Sequence, residues 1–68
     1  MLVRLNMQGY FTKDFNLDAC PLVGHTIDYA DVHNEKPRRL LGSVTHVYHR
    51  IENGQQVVVV ACSAREVE

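Results

Sequence analysis

The chain has 68 residues, 46% of them hydrophobic and 22% charged, with a formal net charge of −1. That length holds one domain, spanning 1–68, and the hydrophobic share excludes a disordered tail. The charge balance supplies no broad positive field for phosphate chains, which disfavours nucleic acid as a partner.

A domain this small buries only about 60% of the surface its unfolded chain exposes. Small domains without a staple commonly gain stability by oligomerising, so a protein partner or a second copy is expected. The two cysteines, Cys20 and Cys62, stand far apart, which suits two buried, reduced thiols rather than a disulfide framework. Met1 to Leu5 are apolar, but Arg4, Asn6 and Gln8 interrupt them at once, so the start does not read as a signal peptide. No apolar run approaches the ~20 residues that span a membrane. The expected setting is the cytoplasm.

Val3, Leu5 and Met7 alternate with Arg4, Asn6 and Gln8, the period-2 pattern of a half-buried strand. Gly9 permits a bend before Tyr10-Phe11. From Thr12 to Pro21 the pattern weakens. Thr12 suits a helix cap, while Asp14, Asn16 and Asp18 favour turns, leaving Phe15 and Leu17 as anchors of a loop. Pro21 pushes Cys20 out of the α region. After the Val23-Gly24 turn, His25 to Val32 reads as a strand on the strength of Ile27 and Tyr29. His33 to Arg39 is polar, contains Pro37 and reads as a solvated loop.

The last third carries the sharpest pattern. Ser43 to Ile51 and Gln55 to Cys62 flank Asn53-Gly54, the pair that a type I′ hairpin turn requires. A two-residue turn sets Glu52 opposite Gln55, Ile51 opposite Gln56, His49 opposite Val58, Val47 opposite Val60 and Thr45 opposite Cys62. The other side of the ribbon pairs Arg50 with Val57, Tyr48 with Val59 and His46 with Ala61. Val57 to Val60 is apolar on both sides, and such a strand is usually covered on both. So short a chain offers little material for two layers. The sheet must therefore curl into a barrel, or a chain end or a partner must cover its second face. Ala64 to Glu68 reads as a polar tail.

Few side chains carry chemistry. His46 and His49 point to opposite faces of a strand and cannot ligate one metal together. A nucleophile needs its base within about 3 Å, and the register leaves Cys62 several rungs from His49. Asp14, Asp18, Asp28, Asp31 and Glu35 show no spacing that forces a carboxylate pair. Gly9, Gly24, Gly42 and Gly54 form no phosphate loop. Neither cofactor nor metal is expected. Lys36, Arg38, Arg39 and Arg50 could serve a nucleic-acid barrel beside Tyr29 and Tyr48, but Asp28, Asp31 and Glu35 dilute the cluster.

Surface recognition fits best. Tyr29, Tyr48, Arg38, Arg39 and Arg50 are residue types enriched at interface hot spots, and Val57 and Val59 supply apolar area. The order of leading strand, Val23-Gly24 turn, second strand, polar loop and terminal hairpin resembles small SH3-like barrels. The resemblance covers most of the chain and assigns no functional residue.

The expected fold is all-β: four or five antiparallel strands in a strongly bent sheet or SH3-like partly open barrel. The alternative is α+β, with a helix from 12 to 22 on the sheet. The expected function is a non-catalytic protein-binding or self-associating module. The alternatives are a nucleic-acid-binding barrel and a small enzyme or metal site using His46, His49 and Cys62.

Overall fold

The structure is a computed structural model that describes residues 1–31 and 38–67. Five strands form one sheet: β1 (Leu2–Gln8), β2 (Phe11–Asn16), β3 (Thr26–Asp31), β4 (Arg38–Glu52) and β5 (Gln55–Val67). Their spatial order is β2-β1-β5-β4-β3, and the sheet curls into a half-barrel. The all-β expectation holds. The pairing is mixed, however, because β5 runs parallel to β1 while every other neighbouring pair is antiparallel.

That central place accounts for the valine run. A strand flanked on both sides in the middle of a curled sheet has both faces covered, so its sequence loses alternation. Val58, Val60 and Cys62 point inward to join Val3, Leu5, Met7, Leu40 and Val44 in the core. Val57 and Val59 point outward, yet they are only 2% and 6% exposed.

The outer cover comes from the chain itself. Val59 lies between Arg4 on β1 and Tyr48 on β4, and Val57 lies beside Arg50. The Arg4 guanidinium donates to Asp14 on β2 at 2.8 and 3.2 Å. It also donates to Glu52 on β4 at 2.7 and 3.3 Å. Arg4 and Glu52 flank β5, so their ion pair crosses the strand at the level of Val57. Long charged side chains cover apolar surface with their stems in this way. The premise that the second valine face needs an outside partner is therefore corrected: Val57 and Val59 are shielded within one molecule.

The two turns at the hairpin ends follow from glycine. Asn53 and Gly54 sit at φ 52° and 78°, as the type I′ reading requires, and Glu52 faces Gln55. Gly9, at φ 87°, takes the third place of the Met7–Tyr10 turn, closed by the Tyr10 N–H to the Met7 carbonyl at 2.9 Å. This turn starts β2, which replaces the expected loop over 12–16; residues 17–22 form the loop expected there, and no helix runs over 12–22. Phe11, Lys13 and Phe15 share the inner face. Lys13 hides the alternation because its ammonium turns back over the Phe11 and Tyr29 rings, at 5.3 and 5.9 Å.

Three further boundaries differ. A bulge between Val44 and His46 sets Val44, not Thr45, opposite Cys62. The bulge turns an apolar side chain into the core and leaves the Thr45 hydroxyl to donate to the Ala61 carbonyl at 3.2 Å. Arg38 and Arg39 belong to β4 rather than to a loop, because that half of the strand pairs with β3. The tail from Ala64 to Val67 continues β5. The rest of the expected polar loop, including Lys36, lies outside the described residues.

The edge strands β2 and β3 meet through aromatic rings. Phe11 and Tyr29 have centroids 4.7 Å apart, and Phe15 lies 6.3 Å from Tyr29. Gly42 permits the tight centre: a Cβ there would sit 2.7 Å from Met7 Sδ and 3.0 Å from Cys62 Cβ.

Candidate functional site

The residues expected at an interface do not form one surface. Tyr29 faces inward and packs on Phe11 across the seam. Arg39 is on the outer face and grips Asp28 with three hydrogen bonds of 2.7 to 3.2 Å. Arg38 lies 4.9 Å over the Tyr10 ring and 3.8 Å from Glu66. Arg50 pairs with Glu52 at 3.2 Å. Only Tyr48, Arg50, Val57 and Val59 are neighbours, and the two valines are covered. Each of the three arginines already has an acidic partner, which leaves little free charge for phosphate.

The histidines and cysteines separate too. His46 is opposite Ala61 on the outer face, and His49 is opposite Val58 on the inner one. Cys62 is 2% exposed, and burial pushes its thiol pKa up. It faces Val44, rungs away from His49. Among the described residues, no three His, Cys, Asp or Glu side chains gather closely enough to hold a metal ion.

A mainly apolar concavity lies elsewhere. A cleft of about 390 Å³ is lined by Met1, Leu2, Cys20, Leu22, Val47, His49, Gln56 and Val58. That volume is within the range of ligand pockets. The β4–β5 hairpin, the chain start and a third element build it. The inner face of β4 supplies Val47 and His49, and β5 supplies Gln56 and Val58. The chain start is pinned by its ammonium, which donates to the Leu17 carbonyl at 2.7 Å and Asn16 Oδ1 at 3.2 Å. The third element is the segment between β2 and β3. It turns at Leu22–His25, where Gly24 has φ 92° and the His25 N–H donates to the Leu22 carbonyl at 3.0 Å. The Gly24 N–H to the Val44 carbonyl and the Val44 N–H to the His25 carbonyl tie that turn to β4.

The cleft is mainly apolar, with one polar pair. Gln56 Nε2 and His49 Nδ1 lie 2.8 Å apart. The cleft's lining includes the exposed hydrophobic residues Met1 and Leu22; of the other exposed large hydrophobic residues, Val23 follows Leu22 in the chain, Ile51 is 70% exposed, and Tyr48 lies on the outer face. Ile51 continues the Val47-His49 series along the inner face and sits opposite Gln56. A smaller hollow of about 210 Å³ at the seam is lined by Val3, Leu5, Phe15, Leu17, Pro21, Ile27 and Tyr29.

Sequence reasoning placed only His49 of the cleft residues in a candidate site, as part of the enzyme or metal alternative with His46 and Cys62. The available signals were Leu22-Val23, two large apolar residues within a turn, and Ile51, apolar beside the hairpin tip. The molecule is thus a small curled β half-barrel with an apolar cleft beside its long hairpin. No protein-family model matches the chain, and neither a curated protein nor a solved structure matches it significantly.

Proposed function

We propose that the chain is a non-catalytic protein-binding module that takes a partner's apolar side chain into the cleft between Leu22, Val47 and Val58. The observation that carries this reading is a mainly apolar cleft whose lining includes exposed Met1 and Leu22, with exposed Ile51 opposite the lining residue Gln56. Scattered surface hydrophobes are ordinary, but a cluster rimmed by polar groups marks an interaction site. The cleft offers shape and apolar area, with the side chains of His49 and Gln56 to orient a guest.

Selection from a random peptide library against the immobilised chain tests the reading. Recovered peptides should carry a large apolar anchor and lose binding to Leu22→Asp and Ile51→Asp variants. Both residues are exposed, so the fold survives their substitution. Peptides that bind both variants as well as the parent chain would place recognition elsewhere.

A further inference from the structure

We infer that the outer face carries a second site, an oxyanion pocket in which Arg65, Ser63, Ser43 and Thr26 take the phosphoryl group of a phosphate monoester. It lies on the opposite side of the sheet from the apolar cleft and does not depend on the binding reading above.

Arg65 is set apart by its free charge. Every other arginine has an acidic partner: Arg4 has Asp14 and Glu52, Arg38 has Glu66, Arg39 has Asp28 and Arg50 has Glu52. Arg65 has no ion pair or hydrogen bond among the described residues. The pleat accounts for this. Glu66 is opposite buried Leu40 on the inner face, so its neighbour Arg65 is on the outer one. In its own row Arg65 faces Leu41, and Leu41 faces Asp28 one strand further out. Asp28 is already held by Arg39 through three hydrogen bonds. The exposed guanidinium of Arg65 therefore keeps its fork of donors open for two-point contact with an oxyanion.

A row of hydroxyls adjoins that fork. Thr26 on β3 is opposite Ser43 on β4, and Ser43 is opposite Ser63 on β5. Neighbouring strands lie about 4.8 Å apart, so the three hydroxyls stand side by side on one face. All three residues are exposed, and none has a side-chain hydrogen bond among the described residues. Arg65 comes two residues after Ser63 on the same face, diagonal to Ser43. The row is a local change, because the preceding outer positions of β5 are Val57, Val59 and Ala61. A bulge sharpens local twist, and the one between Val44 and His46 begins next to Ser43. The four side chains, with Leu41 and Ala64, line a hollow of about 340 Å³.

The donor set selects the ligand. A carboxylate has two oxygens, and one guanidinium fork occupies both, which leaves the hydroxyl row unused. A phosphate monoester brings a third terminal oxygen and a charge near −2. With two oxygens on the fork, the third accepts from the serine hydroxyls. A nucleic-acid phosphodiester lacks that third terminal oxygen and needs a track of cations, whereas Arg39 beside this site is engaged with Asp28.

Amide proton–nitrogen NMR during titration with inorganic phosphate, at constant ionic strength and with chloride as the control, tests the site. The expected result is saturable shifts at Thr26, Ser43, Ser63 and Arg65, the Arg65 Nε–H included, that chloride does not produce. Arg65→Gln should weaken phosphate binding about tenfold or more, and Ser43→Ala severalfold. Arg65→Lys should weaken it nearly as much as Arg65→Gln, because an ammonium keeps the charge and loses the fork. The substituted side chains are exposed, so each variant should keep the parent's circular dichroism. Shifts that grow linearly without saturating, or that chloride reproduces, would overturn the site. Arg65→Lys binding as tightly as the parent chain would overturn the fork geometry on which it rests. A short phosphoserine peptide then identifies the source of the phosphoryl group. Shifts at the same residues with an affinity about tenfold above that of inorganic phosphate assign it to a phosphorylated protein segment. An affinity equal to that of inorganic phosphate assigns it to a small phosphate ester.

Discussion

Replacing Val59 with alanine removes two carbons from beneath Arg4 and Tyr48, at a position only 6% exposed. Burial of each carbon is worth about 0.8 kcal/mol, or roughly 1.6 kcal/mol for the pair. A small void adds a few tenths, since neighbouring side chains close only part of it. The expected loss is therefore about 2 kcal/mol. For a domain of this size that lowers Tm by about 8–16 °C. Thermal unfolding followed by circular dichroism reads it. The runs should span a tenfold range of concentration, because a face covered by a partner would give a cost that varies with concentration. The chain's own cover predicts one constant cost. A loss below about 0.5 kcal/mol, or one that grows with concentration, would refute the idea that Arg4, Tyr48 and their neighbours shield this face.

Gly42→Ala should cost about 1–3 kcal/mol in urea unfolding, because the added carbon collides with Met7 Sδ and Cys62 Cβ. Adding Met7→Val, which withdraws the colliding sulfur, should cost less than the sum of the two single changes. The Arg4 guanidinium beside Asp14 and Glu52 holds both carboxyls below their ordinary range. A lowered folded-state pKa gives stability that is complete above the unfolded carboxylate value and is lost as pH falls through the folded one. Urea unfolding of the parent chain should therefore weaken below about pH 4, and Arg4→Gln should flatten that acid limb. A limb of unchanged steepness would count against the ion-pair roof. Ellman's reagent at neutral pH should titrate Cys20 promptly and reach Cys62 only on unfolding, since Cys62 is buried and its thiol pKa raised.

Much of the fold was legible because its signals are local. The alternation of Val3, Leu5 and Met7 gave β1, and Asn53-Gly54 gave the hairpin with its register up to His46 opposite Ala61. Beyond that point a bulge shifts the ladder, and no short-range pattern announces an extra residue at Thr45. β2 escaped notice because Lys13 occupies an inward position that depends on a cation–π contact with Tyr29, far along the chain. The valine run was read correctly as doubly covered. Its cover was misjudged, because Arg4 and Glu52 are adjacent only through the parallel pairing of β1 with β5. Such pairing has no sequence signature. The cleft was invisible for the same reason: it joins the chain start, a mid-chain turn and the hairpin.

Amide proton–nitrogen NMR spectra recorded while a library-selected peptide with an apolar anchor is added test the cleft's role most directly. Binding in the cleft predicts peptide-dependent shifts at Leu2, Leu22, Val47, His49, Gln56 and Val58. Shifts clustered instead at Asn6, Val59 and Ala61 on the outer face would contradict it.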